Sequence, residues 1–148
     1  QSIRVMPLTK EEAGLVRAIR PDDDREEYDL FMDLFSDLMN AIIARDFMAA
    51  LECGEAAAAL ESREKQKAFC NFAGECIRKI FMIQQKMPQI AGVAEEEQDF
   101  YVNMAGRCGK GFCTRSIANI EKVVSMIDRN VSSKILFCDL VNRMFLSL

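Results

Sequence analysis

Apolar residues recur along this chain at the threes and fours of an α-helix, and no stretch alternates with period two for long. The clearest stripe is Leu30, Phe31, Leu34, Phe35, Leu38, Met39, Ile42 and Ile43, with Asp29, Asp33 and Asp37 on another side at four-residue spacing. Arg45–Asp46 marks a tight break. An alanine-rich helix is expected from Phe47 to about Leu60, its small residues letting a neighbour come close. Ser62 is the N-cap of a long helix carrying Phe69, Phe72, Ala73, Cys76, Ile77, Ile80, Phe81 and Gln84, which Pro88 stops.

Residues 88–94 then connect to a short helix that Glu95, Glu96 and Glu97 open and that ends near Met104. Gly106, Gly109 and Gly111 make a loop, read as an interhelical turn whose glycines allow positive φ. Ile117, Ile120, Val123, Val124 and Ile127 mark the next helix. Ser132 or Ser133 caps the last, whose apolar side holds Ile135, Leu136, Leu140, Val141, Met144 and Phe145. Upstream, Thr9 and Glu12 form a capping box for a short helix to about Ile19. Pro21 disfavours helix at Arg20 and ends it, and Asp22, Asp23 and Asp24 offer N-caps for the next. The reading is a short helix and linker over residues 1–22, then an all-α domain over 23–148. Long helices and short loops predict an antiparallel bundle of about six or seven helices. No repeat of the tetratricopeptide or HEAT period is present.

Half of the 148 residues are apolar, which is ample for a core, and three prolines and seven glycines leave long helices uninterrupted. No apolar run approaches the ~20 residues of a membrane-spanning helix. The six cysteines read as reduced thiols: no secretory signal opens the chain, and a domain of this size needs no bridges. A cytoplasmic location is expected. Gln1 rather than Met opens the sequence, which points to a piece of a longer protein. The net charge of −4 is uneven, with 12 basic and 20 acidic side chains over residues 1–106 against 7 and 3 over 107–148. The acidic part argues against a general grip on nucleic acid, and the basic end reads as a solvated face.

The absence of histidine excludes Ser-His-Asp and Cys-His catalysis, the Glu-x-x-His di-iron bundle and histidine-bearing zinc sites. Cys108 and Cys113 have a permissible zinc spacing, but a second close pair is missing, so no metal is expected. Gly106-Arg-Cys-Gly-Lys-Gly111 fails the phosphate-loop pattern and follows no strand. The Asp29, Asp33, Asp37 row reads as a solvent face or a contact for a basic partner rather than a cation site. These residues supply no catalytic, cofactor-binding or metal site, so neither an enzyme nor a small-molecule substrate is expected. The closing helix is apolar on much of its circumference, with Ile135, Leu136, Phe137, Leu140, Val141, Met144, Phe145, Leu146 and Leu148. Such a helix is either central or covered by a partner.

Those residues also carry a resemblance. Met126-Ile-Asp-Arg-Asn-Val-Ser-Ser-Lys-Ile-Leu-Phe-Cys-Asp-Leu-Val-Asn-Arg-Met144 resembles the end of bacterial DNA polymerase III delta-prime subunits. Tyr28-Asp-Leu-Phe-Met-Asp-Leu-Phe35 is similar to the opening helix of the same C-terminal region, and Glu64-Lys-Gln-Lys-Ala-Phe69 to its middle helix. The three fall in order across residues 26–148. Residues 106–113 depart from the family pattern in their glycines and cysteines, and residues 1–20 match nothing in it. The resemblance implies a non-catalytic collar domain of a clamp loader, the machine that places a sliding clamp on primed DNA. Its partners would be the other loader subunits, with DNA met only indirectly and no membrane. Asp139 and Arg143, on the polar remainder of the closing helix, are the candidate interface residues. The alternative is a free-standing helical adaptor or regulatory module binding a partner helix; a small helical enzyme is a weaker third. No nucleotide or arginine-finger residue carries over, because the ATPase-like module of such a subunit would precede Gln1.

Overall fold

A computed structural model describes residues 21–86 and 93–148, with side chains from Arg25 onward. The expected Thr9–Glu12 capping box and Pro88 lie outside the described residues. Among the described residues there are six α-helices: α1 (Pro21–Ile43), α2 (Phe47–Ala58), α3 (Arg63–Gln84), α4 (Gln98–Arg107), α5 (Phe112–Met126) and α6 (Ser133–Ser147). A 3-10 turn, Glu95–Glu97, leads into α4, and no strand occurs among the described residues. The chain is an all-helical bundle.

The turns follow from local chemistry. Arg45 adopts a left-handed φ of 59° after α1, and Asp46 then caps α2 by accepting from the Ala49 N–H at 3.1 Å. Ser62 and Ser132 cap α3 and α6 in the same way, through the Lys65 and Ile135 N–H groups. Two expectations about boundaries are corrected. Asp22–Asp24 fall inside the first turn of α1 rather than ahead of it, because proline fits an opening helical position. α4 runs past Met104 to Arg107, so Gly106 is helical.

Contacts run round the bundle in the order α1, α2, α6, α5, α3, and α1 meets α3 to close it. Phe35, Met39, Ile42, Ile77, Ile80, Phe112 and Phe137 fill the interior. Phe47 pairs with Phe145, and Glu55 with Lys134, so α2 and α6 run antiparallel. Lys67 pairs with Asp128 and Gln84 meets Cys113, which makes α3 and α5 antiparallel too. α4 departs from the alternation. Its Tyr101 hydroxyl donates to Cys76 Sγ, while its later Ala105 carbonyl accepts from Gln84, so it advances along α3 in the same sense. Its start is held to α1 by the Tyr28 hydroxyl, which donates to Glu97 Oε2.

The small residues of α2 do what their size allows. Ala50, Gly54 and Ala57 are buried, and a Cβ on Gly54 would stand 2.9 Å from Val141 Cγ2. α6 therefore lies close against α2.

Candidate protein-binding face

α6 sorts its side chains by helical position. Leu136, Phe137, Leu140, Val141 and Met144 are buried against α2 and α5. Ile135, Asn142 and Leu146 follow at seven- and eleven-residue intervals, which places them along one outer strip. Ile135 is 64% exposed and Leu146 75%, values matched among the large apolar side chains of the described residues only by Met48 at 67%. The helix is therefore not buried on all sides, as its composition left open; Ile135 and Leu146 face outward on a strip shared with polar residues.

Asp139 and Arg143 flank that strip. Arg143 Nε donates to Asp139 Oδ2 at 2.8 Å across one helical turn, with both side chains about half exposed. An exposed pair of this spacing stabilises by about 0.3–0.5 kcal/mol, so the fold does not depend on it. Beside the pair, a groove of about 230 Å³ opens between α5 and α6. Val123, Leu136 and Leu140 form its floor, while Lys122, Asp139 and Arg143 stand among its lining. Packing brings the two sequence-predicted interface residues to one edge of an apolar depression. Such a site suits an aliphatic side chain presented by another protein, with polar groups at the rim to set its register.

Elsewhere, chemistry-bearing residues are occupied structurally. Asp29, Asp33 and Asp37 are exposed, and Asp29 lies 3.5 Å from Arg25. Cys70, Cys76, Cys108 and Cys113 are buried, Cys53 and Cys138 half-buried, and all six are free. Burial pushes the Cys108 thiol up to about 12 and Cys113 up to about 11, which opposes the thiolate form that zinc requires. Among the described residues no group of three or more cysteines and carboxylates is placed to hold a metal ion, and no helix is long and apolar enough to cross a membrane.

The turn after α4 needs a correction. None of Gly106, Gly109 and Gly111 takes a left-handed φ. The glycine at 111 instead makes room: a Cβ there would collide with the Arg115 guanidinium, whose Nη2 donates to the Ser147 carbonyl at 2.7 Å. That contact ties the start of α5 to the end of α6.

Two glutamines join helices of the bundle, and of these the helical spacing had placed Gln84, but not Gln66, on a stripe. Gln66 is buried, donates to the Ala58 carbonyl and accepts from the Ser133 hydroxyl, joining α2, α3 and α6. Gln84 donates to the carbonyls of Ala105 and Cys108 and so satisfies the end of α4. For Gln66, only its position beside stripe residues such as Phe69 hinted at burial. No family model, curated protein or solved structure matches this chain.

Proposed function

We propose that this chain is the collar domain of a clamp-loader subunit of the bacterial delta-prime type, acting in DNA replication without catalysis of its own. One observation carries the reading. The three segments that resemble the family, far apart in sequence, meet in the fold. Phe31 and Phe69 stack edge-to-face at 5.5 Å between centroids, Lys67 pairs with Asp128, and Ser133 donates to Gln66 at 3.1 Å. These contacts join the three segments at one helix junction. The role is geometric. A bundle that buries one side of α6 and turns Ile135, Leu146 and the Asp139–Arg143 pair outward would hold a neighbouring subunit in a fixed place within the loader ring.

The groove between α5 and α6 also favours a second reading, a free-standing adaptor that binds a partner helix. An ATPase-like module in the same polypeptide separates the two, since only the clamp-loader reading requires it. The interface itself is tested in the full-length protein with Ile135→Glu, Asp139→Lys and Arg143→Glu. Each residue is exposed, so each variant stays folded. Ile135→Glu is expected to abolish co-purification with the other loader subunits, and each reversal, which sets like charges one turn apart, to weaken it in a salt-dependent manner. Unchanged assembly in all three removes this face from the interface.

A further inference from the structure

Basic side chains from three separate turns gather at one end of the bundle. Arg45 follows α1, Lys86 follows α3, Arg107 closes α4, and Lys110 and Arg115 flank the start of α5; all five are exposed. Printed in the packing are the contacts that bring those turns together. Phe47 packs on Phe145, Arg115 reaches the Ser147 carbonyl, Cys113 meets Gln84, and Gln84 reaches the Ala105 and Cys108 carbonyls. None of the five cations is ion-paired among the described residues: Arg107 bonds the Asn103 amide and Arg115 a backbone carbonyl, both uncharged. Asp46, the carboxylate beside Arg45, is committed to capping α2.

Acidic side chains crowd the opposite end. There Glu26 and Glu27 of α1, Glu61 and Glu64 at the start of α3, and Asp128 after α5 are drawn together by the Glu27–Lys65 and Asp128–Lys67 pairs. At 1.5 Å per residue the 22-residue α3 is about 33 Å long, several times the Debye length of about 8 Å at physiological salt. The net charge of −4 therefore does not keep an anion from the basic end. Neighbouring helix axes stand about 8–10 Å apart, so one small anion meets one or two of the five cations, whereas a chain of phosphates meets several. Phe47, two residues after Arg45, is 36% exposed at this end and offers part of its ring to an unpaired base. We propose that the basic end binds a single strand of nucleic acid through its phosphates, with a base against Phe47. The surface is separate from the α5–α6 groove, whose Met126, Val131 and Ile135 lie toward the acidic end, and it does not rest on the collar role.

Fluorescence anisotropy on the whole chain tests this with a labelled oligo-thymidine strand, a labelled duplex of equal length and labelled polyglutamate, across a salt series. The strand is expected to bind more tightly than duplex or polyglutamate, with an affinity that falls as salt rises. Arg45→Glu with Lys110→Glu should weaken strand binding about tenfold or more and flatten the salt slope by about 1–2. Arg63→Glu with Arg129→Glu makes an equal charge change on two exposed residues of the acidic end and should weaken it far less. Phe47→Leu keeps an apolar side chain against Phe145 and should weaken it about fivefold or more. Absence of strand binding at low salt overturns the proposal. So does an equal loss in the two double variants, or an unchanged affinity in Phe47→Leu. Tighter binding of polyglutamate or of duplex overturns it too, by making an acidic protein or a double helix the better fit.

Discussion

Replacing Gly54 by alanine weighs two opposed effects at the contact between α2 and α6. A glycine inside a helix costs up to about 1 kcal/mol relative to alanine, so Gly54→Ala gains that much from the backbone. The new methyl, however, would stand 2.9 Å from Val141 Cγ2 and 3.3 Å from the Phe137 carbonyl oxygen. Valine is stiff at χ1 and the carbonyl is backbone, so neither yields without moving α6 away from α2. Overpacking of this kind costs about 1–3 kcal/mol. The net is a loss of up to about 2 kcal/mol. Gly74, inside α3, is the control, because its nearest neighbour for a Cβ is Ile120 Cγ2 at an ordinary 4.0 Å. Gly74→Ala should therefore keep most of the helical gain. At about 2–4 °C per kcal/mol for a chain of this length, Gly54→Ala melts a few degrees lower and Gly74→Ala a few degrees higher. Thermal melts followed by far-UV circular dichroism read both. If Gly54→Ala raises the melting temperature as Gly74→Ala does, α2 and α6 are not in the contact described.

Leu140→Asp places a charge at a buried position of α6 and should unfold the domain, at a cost of several kcal/mol, whereas Asp139→Lys next to it leaves the circular dichroism spectrum unchanged. Gln66→Leu strips the Ala58 carbonyl of its donor and should cost about 1–3 kcal/mol in urea unfolding. Burial raises the Cys70 and Cys108 thiols to about 12, and Cys76 and Cys113 to about 11, from an ordinary value near 9. Below pH 9 both folded and unfolded chains hold these protons and the stabilisation is complete. As pH rises from 9 towards 12 the unfolded chain ionises first, so urea melts should show stability falling across that window. At neutral pH a thiol reagent should titrate Cys53 and Cys138 readily and the other four only after unfolding.

Much of this fold was legible because helices leave periodic traces. The stripe from Phe31 to Ile42, the serine caps at 62 and 132, and the small residues of α2 each follow from local chemistry, and each stands where expected. What depends on tertiary packing was not legible. The direction of α4 is set by which face of Tyr101 and Phe100 meets α3 and α1, and periodicity carries no sign for that. Left-handed backbone was assigned to glycines, yet Arg45 and Lys86 take it at helix ends while Gly111 serves a side chain instead. At the candidate face, composition marked α6 as too apolar for one buried side, but only packing shows that Ile135 and Leu146 are the surplus. Asp139 and Arg143, expected on the polar remainder of the closing helix, pair with each other, which makes them a neutral edge to an apolar site.

The proposed collar role is tested most directly by native mass spectrometry of the full-length protein mixed with the clamp-loader subunits of the same cell. If the proposal holds, the wild type enters the assembled ring as one copy, and a folded Ile135→Glu, Leu146→Glu double variant loses that copy. A wild-type protein that enters no clamp-loader ring would contradict it.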